Sequence, residues 1–337
     1  MSVELTLKVN KHLKTKTKKQ RSKSKNIDII SFKFRSYNMS ARKISHALFG
    51  KLEEEVFKFI KTKEFTGCLS PEFCKSMMHK YDYNEKHFFL DLLDISERFS
   101  VSKISNFPVG ALVQCSSGNI YLGANLEFPG ENLSFTIHAE QGAIINAWNH
   151  GESDIKKLFS SYVPCALCRQ FLNELEVADS IEIILPDMDS VPLKYFFPDS
   201  FGPKDLNIAD RLMVNVNHKL ELPCDLRGTL VEEALRAANR SYSPYTKSYS
   251  GVALLLKNGI IITGMYAENA AFNISMNPMA AALSNLNISN NQFEDIAFAA
   301  IVETDTAVIS QIKAATNLLA SVNSNVHLNV LIANKKK

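Results

Sequence analysis

One fifteen-residue stretch of this chain occurs twice. Val109-Gly-Ala-Leu-Val-Gln-Cys-Ser-Ser-Gly-Asn-Ile-Tyr-Leu-Gly123 is echoed by Ser250-Gly-Val-Ala-Leu-Leu-Leu-Lys-Asn-Gly-Ile-Ile-Ile-Thr-Gly264. Each copy reads as an apolar run, a turn and a second run closing on glycine. In the second copy Asn258-Gly259 is a strong hairpin turn, and in the first Ser117-Gly118-Asn119 separates expected strands at 109–114 and 120–122. Glu127 follows Gly123 by four positions, as Glu268 follows Gly264. The repeat therefore restricts the fold to two copies of one α/β unit. Within the first copy the pattern continues as a helix over 137–148, with His150-Gly151 as its C-terminal cation and C′ glycine. A second helix follows Pro164 over 165–175, and 181–185 reads as a buried strand.

The repeated pattern carries unrepeated chemistry. His138-Ala139-Glu140 is followed by Pro164-Cys165-Ala-Leu-Cys168. One histidine and two cysteines make three zinc ligands, which leaves the fourth tetrahedral position open for water, the catalytic rather than the structural pattern. Both ligand groups open expected helices, whose partial positive charge favours thiolate over thiol. Alone, Cys-x-x-Cys would equally suit a redox pair or half of a structural zinc site. The spare candidates for a closing ligand, Cys115, His150 and Cys224, sit in no metal-like spacing. Glu140 is free to move protons between a water and a substrate; its bland reading is an acidic residue in a first helical turn. Where the first copy has His138-Ala-Glu140, the second has Asn277-Pro-Met-Ala-Ala281, and beyond Cys224 the only histidine or cysteine is His327. Ligand count thus excludes a second site of the same kind and leaves one zinc per chain.

The rest of the chain sets limits. Residues 1–39 hold eleven Lys/Arg against Glu4 and Asp28, a charge of +9, so the remainder carries −6 against the total of +3. An acidic body gives no support for a large nucleic-acid footprint. The Lys/Ser/Thr run at 8–25 is expected to be a disordered, solvated extension, with Met39 as an alternative start. Ile44, Leu48, Leu52, Val56 and Ile60 recur at helical spacing. Ser70-Pro71-Glu72 and Asn84 are helix-start signals, so 40–100 reads as a small helical domain in which His79 and His87 are ordinary surface residues. The organisation expected is an extension at 1–39, helices at 40–100, a catalytic domain at 101–215 and a non-catalytic copy at 216–337. No run approaches the ~18 apolar residues of a membrane helix, and the N-terminus lacks a signal-like apolar stretch. Four cysteines outside the motif read as buried free thiols. The expected location is the cytoplasm.

H-x-E…P-C-x-x-C is the signature of zinc nucleobase deaminases. Here the chain resembles the cytidine deaminases, in particular the dimeric two-domain type of enteric bacteria and plants. The likeness runs from about residue 100 to the end. It includes Ser105-Asn-Phe-Pro-Val-Gly-Ala111, Gly123-Ala-Asn-Leu-Glu-Phe128, Ile137-His-Ala-Glu-Gln141, Pro164-Cys-Ala-Leu-Cys-Arg-Gln-Phe171, Pro198-Asp-Ser-Phe-Gly-Pro-Lys-Asp-Leu206 and Ala237-Ala-Asn-Arg-Ser-Tyr-Ser-Pro-Tyr245. The resemblance implies a duplicated three-layer α/β/α sandwich with a mixed sheet, preceded by the helical segment. It implies a homodimer, zinc on His138, Cys165 and Cys168, and Glu140 as the catalytic acid–base. It further implies that Asn125 and Glu127 bind the ribose hydroxyls, that Phe107 packs on the pyrimidine, that Ala139 belongs to the substrate site, and that Phe201 reaches into the partner subunit's site. The chain departs from the pattern at Val163, where the bacterial enzymes have threonine, and at Tyr266, where the repeat would place asparagine.

The function expected is hydrolysis of cytidine and 2′-deoxycytidine to uridine and 2′-deoxyuridine with ammonia release, in pyrimidine salvage. The alternative is a deaminase acting on cytosine in RNA or single-stranded DNA, supported by the basic extension and opposed by the acidic body and the ribose pair. A non-enzymatic pyrimidine binder would have lost a ligand or the glutamate, and all four are present.

Overall fold

The computed structural model describes residues 46–62, 64–223 and 228–335. The basic stretch 1–39, Ile44 of the first helical pattern and Cys224 lie outside the described residues.

Two sheets account for the repeat. The first half runs α1 (His46–Ile60), β1 (Cys68–Leu69), α2 (Pro71–Lys80), α3 (Glu85–Glu97), β2 (Gly110–Gln114), β3 (Ile120–Ala124), α4 (Ala139–Asn149), β4 (Lys157–Ser160), α5 (Ala166–Leu172), β5 (Glu182–Ile184), β6 (Val191–Pro192) and α6 (Leu193–Phe196). The second runs β7 (Leu220–Glu221), α7 (Thr229–Asn239), β8 (Ser250–Leu256), β9 (Ile261–Met265), α8 (Pro278–Ile288), β10 (Ile296–Thr304), α9 (Ile312–Val322) and β11 (Leu328–Lys335). Strand order is β1-β3-β2-β4-β5-β6 in one sheet and β7-β11-β10-β8-β9 in the other. The pairings match element by element. β2 is antiparallel to β3 and β4, as β8 is to β9 and β10. β4 is parallel to β5, as β10 is to β11. Both sheets are therefore mixed, and the fold is a duplicated α/β/α arrangement, as the resemblance implied.

Layering follows from which face each residue buries. In the second half α7 puts Ala234 and Ala238 against Ala253, Ala300 and Val302 on one face. Leu283 of α8 and Leu318 of α9 share a core with Val252, Leu254 and Ile301 on the other. In the first half α1 and α3 supply the outer layer: Leu52, Val56, Phe88 and Leu92 pack with Leu112, Ile120, Leu122 and Phe159 of the sheet. Residues that sequence periodicity groups at 40–100 thus share a core with the first sheet. Both start signals act as caps. Ser70 Oγ accepts from Phe73 N at 3.2 Å and Asn84 Oδ1 from His87 N at 2.9 Å.

Gly123 and Gly264 explain why the repeat closes on glycine. A Cβ at Gly123 would lie 2.2 Å from Ala143 N and 2.3 Å from Ala139 O; one at Gly264 would lie 2.2 Å from Pro278 O and 2.3 Å from Ala282 N. Only a residue with no side chain lets α4 and α8 lie this close on their strands. In the first half that contact fixes the N-terminus of α4, where the site begins.

Candidate active site

His138 is the N-cap of α4 and Cys165 the N-cap of α5, so two helix N-termini converge on one point. α4 therefore starts one residue after the histidine, with His138 N donating to Gln141 Oε1 at 3.1 Å. Cys168, in the first turn of α5, is fully buried. His138 Nδ1 lies 3.4 Å from the Sγ of both Cys165 and Cys168, and the two sulfurs are 3.6 Å apart. Tetrahedral zinc with Zn–S of about 2.3 Å and Zn–N of about 2.0–2.1 Å requires edges of roughly 3.6–3.8 Å. The donor triangle fits a zinc ion with little adjustment. It is the one such cluster among the described residues.

Glu140 is buried, with Oε2 3.3 Å from Cys168 Sγ. Burial raises its carboxyl above the usual range. The hydrogen bond with Cys168 holds the Cys165 thiol down to about 3, and the same contact, with burial, raises Cys168. Contact with Cys165 raises His138. Cys165 thus favours the thiolate form that a divalent cation binds.

The other expected site residues fall into two groups. Asn125 and Glu127 are buried and hold the loop before β2. Asn125 Oδ1 accepts from Ser100 Oγ at 2.6 Å and Val109 N at 2.9 Å, and its Nδ2 donates to Phe107 O at 3.0 Å. Glu127 accepts from Ile104 N at 2.6 Å, Ser105 N at 3.0 Å and Ser105 Oγ. Glu268 repeats this pattern in the half without metal ligands, accepting from Tyr245 N, Thr246 N and Thr246 Oγ1. The loop clamp is therefore part of the repeated fold, whatever else Glu127 does. Phe107 and Phe201 are instead presented outward, at 50% and 47% exposure. Phe107 packs on Tyr162 with centroids 4.9 Å apart. Ala139 is fully buried and gives its methyl to the core. Val163, beside Pro164, is exposed.

Several residues given no role by the sequence complete the surroundings. Arg169 donates from Nε to Pro164 O at 2.8 Å and from Nη1 to Phe196 O at 2.7 Å, bracing the turn that carries Cys165. Gln170 Nε2 and Asn173 Nδ2 both donate to Phe201 O, at 2.9 and 3.0 Å. Only the chain reversal after β5 brings these partners together, which no local pattern reveals. His150, a spare ligand candidate, caps α4, with Nδ1 2.8 Å from Asn146 O and Nε2 2.8 Å from Thr66 Oγ1. A cavity of about 270 Å³ under the 198–205 loop is lined by Asn173, Lys194, Phe197, Lys204 and Arg211, and by none of the metal ligands.

The second half shows what replaces the site. The N-caps of α8 and α9 are Asn277 and Gln311, the counterparts of His138 and Cys165. Asn277 Nδ2 donates to Gln311 Oε1 at 2.9 Å, so an amide pair closes the place of the ion. Met279, fully buried, stands at the position of Glu140.

Comparison with known proteins agrees with this geometry. Residues 83–182 and 193–316 each match the family described as the cytidine and deoxycytidylate deaminase zinc-binding region. The first match contains all three ligands; the second contains His218 and Cys224 as its only histidine and cysteine. The chain is 40% identical over 295 residues to the cytidine deaminase of Photobacterium profundum, covering 86% of this chain and 99% of that protein. It is 43% identical over 272 residues to that of Photorhabdus laumondii, covering 81% and 92%. The cytidine deaminase of Aliivibrio fischeri is 42% identical over 265 residues, covering 79% and 89%.

Proposed function

The chain belongs to the cytidine deaminase family, and we propose that it hydrolyses cytidine and 2′-deoxycytidine to uridine and 2′-deoxyuridine, releasing ammonia, as a pyrimidine-salvage enzyme. The observation that carries this reading is the triangle of His138, Cys165 and Cys168 with Glu140 against it. His138, Cys165 and Cys168 would hold the zinc, which when bound would supply the acidity that makes a water nucleophilic at neutral pH. Glu140 would accept one proton from the attacking water and pass it to the ring nitrogen, then take the second from the hydroxyl newly formed on the ring and give it to the departing amine. Its buried position beside Cys168 suits an acid–base, and burial raises the carboxyl above its ordinary value. The balance is one water consumed and one ammonia released.

We assign Asn125 and Glu127 to the ribose hydroxyls, Phe107 to the pyrimidine face, and the backbone of Ala139 to the base. For Glu127 this means a second duty beside its loop clamp. The active unit is a homodimer in which Phe201 enters the partner's pocket, a reading supported by the outward presentation of that ring. Functional boundaries follow as an extension at 1–39, helices at 40–100, catalytic residues at 101–215 and the metal-free copy at 216–337, with one zinc per chain. No helix among the described residues is long and apolar enough to cross a membrane. The free thiols of Cys68, Cys74 and Cys115 support a reducing, cytoplasmic setting. Cytosine within RNA or single-stranded DNA is the less favoured substrate, because its support is confined to the basic stretch 1–39.

The direct test measures ammonia release from cytidine, deoxycytidine, free cytosine and a cytosine-bearing oligonucleotide, with zinc content on the same sample. Turnover of both nucleosides with about one zinc per chain is expected. Turnover of the oligonucleotide alone would reverse the order of the two readings.

A further inference from the structure

We propose that Glu174 is a positioning residue, a buried carboxylate through which the metal-free half sets α5 and, with it, the metal turn and the Phe201 loop. The inference rests on the deaminase reading above and adds a residue to it. α5 has only seven residues, too few to be held by its own backbone hydrogen bonds. Its first turn carries Cys168, and Arg169, Gln170 and Asn173 hold the carbonyls of Pro164, Phe196 and Phe201. Anything that tilts α5 therefore moves the ligands and the Phe201 loop together.

The opposite side of this segment is bonded to the second half. Glu174 is fully buried. Its Oε2 accepts from Tyr242 OH at 2.8 Å and Tyr245 OH at 2.9 Å, and its Oε1 from Ala270 N at 2.7 Å. Asn269 Nδ2 donates to Gln170 O at 3.2 Å. All three donors to the carboxylate belong to the second half. An ionisable group is costly to bury unless it is well paired, so its presence asks for a reason. The fold itself does not require it. Counted from the N-caps Cys165 and Gln311, the corresponding residue is Ala320, within α9 and exposed. At this position a buried carboxylate stands only beside the helix that holds metal ligands.

The test uses the full-length zinc-loaded chain with Glu174→Gln and Tyr245→Phe. The amide turns an NH₂ toward groups that donate, and the phenylalanine removes one donor from a partly exposed position, so the second variant remains folded if the first does not. Zinc loss to excess chelator, KM and kcat for cytidine, and thermal midpoint are measured. Leu319→Ala, at a buried position of α9 that makes none of these hydrogen bonds, supplies destabilisation without the contact. Zinc loss about tenfold faster, at the low end of what outer groups around a ligand contribute, with KM raised more than kcat is lowered, is expected for both Glu174 and Tyr245 variants and not for Leu319→Ala. Wild-type zinc release and KM in either folded variant overturns the proposal, as does equal acceleration by Leu319→Ala. The parent chain in the same assays tests the deaminase reading separately, through its zinc content and ammonia release.

Discussion

Glu140 separates holding the metal from using it. Its carboxylate lies 3.3 Å from Cys168 Sγ but is not one of the three converging donors. Glu140→Gln should therefore retain zinc and fold while losing about 10²–10⁴-fold in kcat, the usual worth of a general acid–base, since an amide cannot carry the proton. Near-normal turnover in a zinc-loaded variant would refute the role. His218 makes a residue-scale prediction about stability. It stacks on Tyr249 at 3.6 Å, with Nε2 2.7 Å from Ser241 O, and burial lowers its pKa below 6.5. The unfolded chain then takes up the proton first as pH falls. The stability this histidine contributes is complete above about pH 6.5 and is lost progressively below it. Thermal midpoints between pH 7 and pH 5 should fall more steeply in the parent chain than in His218→Gln, and parallel slopes would contradict the assignment.

Helix ends are the elements that matter most for this site, and they were also the most legible. Ser70 and Asn84 announce α2 and α3 because an N-cap is a local hydrogen bond between near neighbours. The hairpin at Asn258-Gly259 is legible for the same reason, with Gly259 at φ +86°. His138 and Cys165 could be placed at helix starts from spacing alone. Where the ends depend on distant partners, local pattern fails. α5 stops at Leu172 rather than running to 175: Glu174 N turns back to Phe171 O, and Leu212 N donates to Glu174 O. Sequence periodicity likewise could not say that α1 and α3 lie on the first sheet, since the apolar stripe of a helix does not name its partner. The matched glycines offer a test at this scale. Gly123→Ala and Gly264→Ala place a methyl against helix backbone and should each cost a few kcal/mol, about the range for overpacking or more. Only Gly123→Ala displaces α4, so it alone should also weaken zinc retention. Equal zinc affinity in the two folded variants would show that the N-terminus of α4 is positioned by something else.

At the scale of the whole molecule, the duplication places a working site beside a copy whose metal position is closed by Asn277 and Gln311. Fixed contacts cross between the halves, as from Tyr242 and Tyr245 to Glu174 and from Arg240 to the Trp148 carbonyl. The second half is therefore bound into the architecture of the first, although its described residues hold no second cluster of metal ligands. On the proposed reading the substrate's entry is flanked by Phe107, Tyr162 and Val163, all exposed. Phe201, anchored by its carbonyl and with its ring outward, is suited to close the same opening on a neighbour and exclude water from it. A two-fold dimer would exchange one such ring in each direction. Glu140→Gln and Phe201→Ala should then each be impaired alone, yet recover on subunit exchange. In the hybrid, one pocket combines intact Glu140 from one chain with intact Phe201 from the other. With random exchange half of the dimers are hybrids and each holds one complete pocket, so about a quarter of parental activity per site should return. Full activity of Phe201→Ala by itself, or no recovery in a mixture whose exchange is verified by mass, would show that each chain completes its own site.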